Sequence, residues 1–497
     1  MPELPRPTLR LLLLILVLAV LGAAAGLAFG PRPIPLGEPS GDPDLVRDAG
    51  PILQDSGNDG IVSVVRIRDG RASWAGFGDV TAESRFEIGS LTKSFNGLLL
   101  ADAVARGEVG LDDRLDALLT DLAGTDAGAA TLRELAQHTS GLPGNGSMDM
   151  LQVIAEDLAG ASYTAYEVAT PANLLADARR AHPTGRGLWA YSNLGASLLG
   201  HALAAAAGAP DWGTLVTERV FEPLGMADTR VVRAGSPDAG LLPAHNPNGR
   251  PMGPQTSDGY APAGIGVTSS AADLSRYAAA LLAGTAPGMH ALDPTFPITS
   301  GQLAGQQMGL AWVVSGDDGE VVWHNGMTGG MASLLAIDRS RGTGAIVLTD
   351  RARDVTGPGL ALLADGADTG LPAIPRIDAD TVGWVVVGGV WVALFVWASL
   401  RGRSRVRIAG QGLGAAGALL VWGIAQPWDW SPPWTFGLAV GLVLGALVAA
   451  GRRWSGLGWL PERGRPWAVL AGALGVGWFA AMVALAAWVL GLAVGQT

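Results

Sequence analysis

The chain has 497 residues, with 33 basic and 44 acidic side chains, a formal net charge of −11 and no cysteine. Without cysteine there are no disulfides, no thiolate metal sites and no lipid-modified N-terminal cysteine, so only peptide segments can anchor the chain. Residues 31–380 hold 23 basic against 41 acidic side chains, while the remainder is net positive. So acidic a domain argues against a nucleic-acid partner.

Residues 11–29 form an apolar run. Residues 1–30 read as a signal peptide, with Ala23-Ala24-Ala25 as a small-residue cleavage site, or as an uncleaved N-terminal membrane anchor. Residues 31–49, rich in Pro and Gly at their start, read as a linker. A strand over Ile61–Ile67, an Asp69-Gly70 turn and a second strand to about Gly78 predict a hairpin. Ser90 opens a helical pattern carried by Phe95, Leu98, Leu99 and Ala103, with Gly107 as its stop. The middle, roughly 110–285, reads as helical and loop-rich, and Ser270 with Asp273 predicts a capping box. Strand signals return at Gly309–Val314, Glu320–His324, Ala332–Ile337 and Ala345–Leu348, and Leu360–Leu363 closes the domain as a helix. Strands at both ends with helices between predict an α+β domain over 50–370. One antiparallel sheet, built from both ends and flanked by helices, carries a helical subdomain beside it.

After a linker at 371–381, residues 382–497 predict an all-α transmembrane region with spans at 382–400, 408–425, 434–450 and 467–493. Arginines cluster at Arg6 and Arg10, at Arg401, Arg403, Arg405 and Arg407, and at Arg452, Arg453, Arg463 and Arg465. The positive-inside rule assigns these clusters to the cytoplasm and the acidic domain to the cell exterior. The spans lack ionisable residues in their apolar cores, which favours anchoring, contact with lipid or contact with another membrane protein over an ion pathway. Gly412–Gly417 fits a dinucleotide fingerprint by letter, but within an apolar span close helix packing is the better reading.

Lys93 is the only lysine among the basic residues. Arginine keeps its charge, whereas a lysine ammonium gives up its proton when burial lowers its pKa. Lys93 lies three residues after Ser90, on the same face of the predicted helix and near its N-terminus, where N–H groups favour negative charge. Such a serine can be activated as a nucleophile by the amine. Two further elements follow in order. Tyr191-Ser192-Asn193 precedes a helical run, and His324-Asn325-Gly326 ends a strand. A tyrosinate beside an ammonium is a competent base, an asparagine amide can hold a substrate amide, and a glycine leaves room for a substrate backbone at a strand edge. The chain has no Gly-x-Ser-x-Gly elbow and no His-Glu-x-x-His motif, and no metal or cofactor is expected.

This ordered set resembles the penicillin-recognising serine hydrolases: class C β-lactamases, D,D-peptidases, D-aminopeptidases and related esterases. The stretches His138–Pro143, Phe221–Met226 and Ala263–Ser269 are similar to that family too, and the likeness covers roughly residues 50–365. The resemblance implies a β-lactamase/transpeptidase-like fold and an acyl-enzyme formed on Ser90. Lys93 and Tyr191 would share proton transfer, and Asn193, His324, Asn325 and Gly326 would bind substrate. The backbone N–H groups of Ser90 and Met327 would form the oxyanion hole. The expected substrate is a small molecule or peptide, with cell-wall peptides and small esters as the natural classes. The third motif begins with His324 where many family members have lysine, which reduces fixed positive charge for a substrate carboxylate. The alternative from another class is a ligand sensor or scaffold that keeps the fold and signals through the membrane region. His138 reads as ordering its own turn.

Overall fold

A computed structural model describes residues 6–30, 35–57, 59–146, 152, 156, 164–236, 238–247, 249–301, 303–316, 318–364, 379–425, 432–460, 469–470 and 473–484. They form two units, one over 34–374 and one that joins 1–33 with 375–497.

In the first unit Asp69 and Gly70 both take positive φ, 50° and 71°. That is the conformation a two-residue hairpin turn requires, and Asp-Gly tolerates it. The turn folds β2 (Val62–Arg68) back as β3 (Arg71–Phe77), and the short β1 (Pro39–Gly41) adds to the outer edge of β3. Four short central strands follow: β4 (Arg85–Glu87), β5 (Arg230–Val231), β6 (Ala244–His245) and β7 (Pro251–Met252). A fifth is β8 (Val267–Ser270), on which β4 and β5 pair from either side. The late strands are β9 (Phe296–Pro297), β10 (Gln307–Met308), β11 (Val313–Ser315), β12 (Val321–Met327), β13 (Ala332–Asp338) and β14 (Thr343–Thr349).

The main sheet runs β1-β3-β2-β14-β13-β12-β11-β10-β9, antiparallel throughout. The two ends of the unit meet where β2 pairs with β14, Val64 opposite Val347. Every residue of β13 is buried, because both faces of the sheet are covered. Val65, Leu335, Ile337 and Ile346 face a core shared with Phe95, Leu98 and Tyr277 of the helices Lys93–Ala105 and Ala271–Leu282. Val64, Leu334, Ala336 and Val347 face a second core with Leu45, Ala49, Leu53 and Leu360. The result is an α+β fold of three layers.

The structure corrects three expectations. Much of the segment read as a linker over 31–49 is folded: β1 is followed by the helix Pro43–Asp55. Asp42 caps that helix by accepting from the Leu45 N–H at 2.9 Å, and Pro43 occupies its first position, where a missing N–H costs nothing. The capping box at Ser270 is only half formed. Ser270 Oγ accepts from the Asp273 N–H at 3.1 Å, but the Asp273 carboxylate turns away to accept from the backbones of Asp228 and Thr229 and from Arg276. The central region also contains the small β4-β8-β5 sheet, whose strands are too short for a periodic signal.

In the second unit the helices Arg6–Phe29, Ala379–Arg401, Arg405–Ala425 and Pro433–Trp454 are described. Of the expected 467–493 span, the described part that is helical includes 473–484; the rest of it, and the linker residues 371–378, lie outside the described residues. Leu9–Phe29 and Pro433–Trp454 are long and apolar enough to cross a bilayer, whereas the apolar helices Val385–Arg401 and Ala473–Ala484 are shorter. Within this unit the N-terminal helix packs tightly on Pro433–Trp454. A Cβ on Gly22 would overlap the Gly437 carbonyl, one on Gly441 would overlap that of Leu18, and one on Gly445 would sit 2.7 Å from the Ile15 Cα. Small residues let two backbones approach this closely. Gly412 and Gly414 likewise receive the rings of Phe395 and Trp391, so the Gly412–Gly417 run serves helix packing.

Candidate active site

Ser90 lies in a single 3₁₀ turn, Gly89–Thr92, and the α-helix proper starts at Lys93. The tight turn places Lys93 Nζ 2.9 Å from Ser90 Oγ, to which it donates, and Nζ also donates to the Ala263 carbonyl at 2.6 Å. Lys93 is fully buried, and burial alone pulls its ammonium well below the ordinary lysine range. A neutral amine has two hydrogens and one lone pair. With one hydrogen held by Ala263, the lone pair can face the Ser90 hydroxyl.

One helical turn on, Asn96 fixes this arrangement. Its Nδ2 donates to the carbonyls of Ala196 and Pro262 at 3.1 and 2.9 Å, and its Oδ1 accepts from Trp212 Nε1 at 2.8 Å. It thereby ties the Lys93 helix to the Asn193–Ala206 helix and to the turn that supplies Ala263. Asn96 shares a helix face with Lys93, the signal that could have marked it in advance.

Ser192 caps the Asn193–Ala206 helix by accepting from the Gly195 N–H at 2.9 Å, and its own hydroxyl donates to the Pro143 carbonyl at 2.6 Å. The Ser192 N–H donates to His138 Nδ1 at 3.2 Å, and the His138 ring lies 4.5 Å from that of Tyr191. His138 adopts φ 58°, and its contacts with the Ser192 N–H and the Tyr191 ring brace the second motif. Asn193 Nδ2 donates to Asn145 Oδ1 at 3.0 Å, a loop partner that nothing in the sequence marks. Tyr191 retains 39% of its surface, and its ring centroid is 4.9 Å from Lys93 Nζ. Burial of the hydroxyl end pushes the phenol pKa up, against a hydrogen bond with Ser90.

The third motif closes the site from β12. His324 is buried, and burial, with repulsion from Lys93, drives its pKa down to about 3, so the ring is neutral at pH 7. The same two causes, with His324 added, hold His138 well below the usual histidine range. Lys93, Tyr191, His138 and His324 are thus all pushed toward their uncharged forms.

One expectation about this motif changes. Asn325 does not reach the site: strand residues alternate faces, and its Nδ2 donates to Thr356 Oγ1 at 2.9 Å on the opposite side of the sheet. The glycine at 326 packs against the Ser90 turn. A Cβ there would overlap the Ile88 carbonyl oxygen and stand 2.8 Å from the Leu91 nitrogen, so only glycine lets the Ser90 turn seat on β12. Gly89, at φ 50°, approaches from the other side, and a Cβ on it would lie 2.7 Å from the Met327 nitrogen. The backbones flanking Ser90 and Met327 are therefore neighbours. β11 pairs with β12 only over Val321–Trp323, so beyond Trp323 that ladder ends.

In fold, the chain is similar to a class C beta lactamase from Rhodobacter sphaeroides, with a TM-score of 0.53 at 22% identity over 65% of this chain and 98% of that one. A mutant class C beta-lactamase gives 0.54 at 18% identity over 65% and 95%. The beta-lactamase family signature matches residues 53–367, and the chain belongs to that family of serine hydrolases. The human protein beta-lactamase-like 1 is 30% identical over 308 residues, which cover 59% of this chain and 58% of that protein. The beta-lactamase of Escherichia coli K12 is 40% identical over 62 residues, 12% of this chain and 16% of its own. The chain thus matches little more than half the length of the human relative.

Proposed function

We propose that the chain is a membrane-anchored serine hydrolase that cleaves an ester, amide or lactam outside the cell through an acyl-enzyme on Ser90. The observation that carries this reading is the buried Lys93 amine, pushed toward neutrality and 2.9 Å from Ser90 Oγ. In this reading Ser90 Oγ attacks the acyl carbon while its proton passes to the Lys93–Tyr191 pair. The carbonyl oxygen takes up negative charge facing the N–H groups of Ser90 and Met327. The tetrahedral intermediate collapses, the leaving group departs with the proton, and water then releases the acyl group. Asn193, held by Asn145, presents its amide to the substrate.

Anchoring is supported by the two apolar helices, and the arginine clusters at Arg401–Arg407 and Arg452–Arg453 support a reading in which the hydrolase domain lies outside. The tight glycine contacts of the N-terminal helix with Pro433–Trp454 support its retention as an anchor rather than removal as a signal peptide.

A fluorophosphonate probe is expected to label the wild-type chain and to leave Ser90→Ala unlabelled in an in-gel fluorescence assay. Equal labelling of the two overturns the nucleophile assignment. The substrate preference follows from charge. With His324 neutral, the third motif offers no cation to the carboxylate of a penicillin or a C-terminal D-alanine. Short-chain esters and D-aminoacyl amides are expected to exceed a chromogenic cephalosporin in kcat/KM by about tenfold or more, the worth of one lost charged hydrogen bond. A preference for the cephalosporin sinks this inference.

A further inference from the structure

Glu87 lies three residues before Ser90 and one before Ile88, at the end of β4. It is buried, and among the described residues it has no cationic partner. Its Oε2 accepts from Thr328 Oγ1 at 2.6 Å, and its Oε1 accepts from the Gln255 N–H at 2.6 Å. Thr328 directly follows Met327. Its hydroxyl oxygen in turn accepts from the N–H groups of Met331 at 3.2 Å and Gly330 at 3.5 Å. The Glu87 N–H points at Met331 Sδ at 3.1 Å, and Ser333 Oγ donates to the Ile88 carbonyl at 2.7 Å. One carboxyl group therefore joins the segment that leads into Ser90 to the turn that leaves Met327.

We infer that Glu87 is a positioning residue which, as the carboxylate, holds the backbone N–H groups of Ser90 and Met327 in register as one oxyanion site. The inference rests on the Ser90 acyl-enzyme reading. The hydrogen-bond inventory selects the ionised form. Both carboxylate oxygens face donors, and the lone pairs of the Thr328 oxygen already receive two N–H groups. A proton on Oε2 would meet an oxygen with no vacant acceptor site, and a proton on Oε1 would meet an N–H. Protonation thus loosens the turn beyond Met327.

Burial opposes the charge and pushes the carboxyl up to about 7, so the switch falls in the physiological range. The other ionisable groups around it are accounted for. Arg85 on the same strand pairs with Asp238, which also accepts from the Thr268 hydroxyl, and Glu167 accepts from the Thr256 hydroxyl beyond Gln255. Among the described residues, the groups hydrogen-bonded to the Glu87 oxygens are the Thr328 hydroxyl and the Gln255 N–H.

The test is the rate of fluorophosphonate acylation of the full chain in detergent, followed from about pH 5.5 to 8.5. The wild-type rate is expected to rise about tenfold through a midpoint near the Glu87 value of about 7. Glu87→Gln, which cannot ionise, is expected to stay at the low rate across the range, about tenfold down at the alkaline end. Thr328→Val removes one donor to the carboxylate and is expected to move the midpoint up by about one pH unit. If Glu87→Gln keeps the wild-type midpoint, the limb belongs to Lys93 and the inference fails. If Thr328→Val leaves the midpoint in place, it fails also, and this variant decides the matter should Glu87→Gln not fold. Ser90→Ala runs alongside. Labelling that persists in Ser90→Ala rejects the acyl-enzyme reading itself, whereas its loss together with an unshifted Glu87→Gln profile rejects only the role of Glu87.

Discussion

Lys93→Arg is expected to slow acylation by a short-chain chromogenic ester about 10³-fold while the domain still unfolds cooperatively. The size follows from what the amine does. General-base assistance contributes about 10² to 10⁴ in rate, and arginine supplies none because its guanidinium stays charged. The site also lacks the means to accept a permanent cation. Lys93 is fully buried, among the described residues it has no carboxylate partner, and its second hydrogen bond is to the neutral Ala263 carbonyl at 2.6 Å. Lys93→Met keeps the volume without the charge and is expected to lose as much activity at less cost in stability. Burst kinetics measure the acylation step, and thermal melts separate chemistry from folding. A Lys93→Arg enzyme within about tenfold of wild type would show that another group takes the Ser90 proton.

Gly326→Ala is expected to cost about 3 kcal/mol of stability, the upper range for overpacking, and about 10²-fold in acylation, the cost of roughly 1 Å of misplacement. A single methyl at this position runs into the Ile88 carbonyl and crowds the Leu91 nitrogen, the two ends of the turn that carries Ser90. β12 cannot retreat, since it is paired along its length with β13, from Val321 opposite Asp338 to Met327 opposite Ala332. The turn must move instead, and Ser90 with it. The measurements are a melting curve and an acylation rate on the same preparation. If the variant melts normally and shows only a raised KM, Gly326 admits substrate and does not seat the turn.

The elements most legible in the sequence were those whose cause is local. Asp69-Gly70 dictates its hairpin by backbone conformation alone, and Ser90 to Lys93 is one turn of helix whether the turn is 3₁₀ or α. That one sheet draws on both ends of the domain was readable because both ends carried strand signals and the middle did not. The face of Asn325 is open to inference, since period-two alternation cannot put His324 and Asn325 on the same side. Other features depend on distant partners. The Asp273 carboxylate is drawn off its cap by N–H groups at Asp228 and Thr229, more than forty positions back. Asn145 meets Asn193 across a loop without periodicity, and β4 and β5 exist only because β8 lies between them. Glu87 carries a local signal as well: an acid between Phe86 and Ile88, in a segment otherwise suited to the interior.

The pairing of Arg6–Phe29 with Pro433–Trp454 has a bearing on shedding. The hydrolase unit, 34–374, is inserted between two parts of one helical body rather than hung from a single stalk. A protease that nicks either connector leaves the enzyme still tethered through the other. In the proposed membrane-anchored form, release would take two cuts, and activity would stay confined to targets within reach of the membrane.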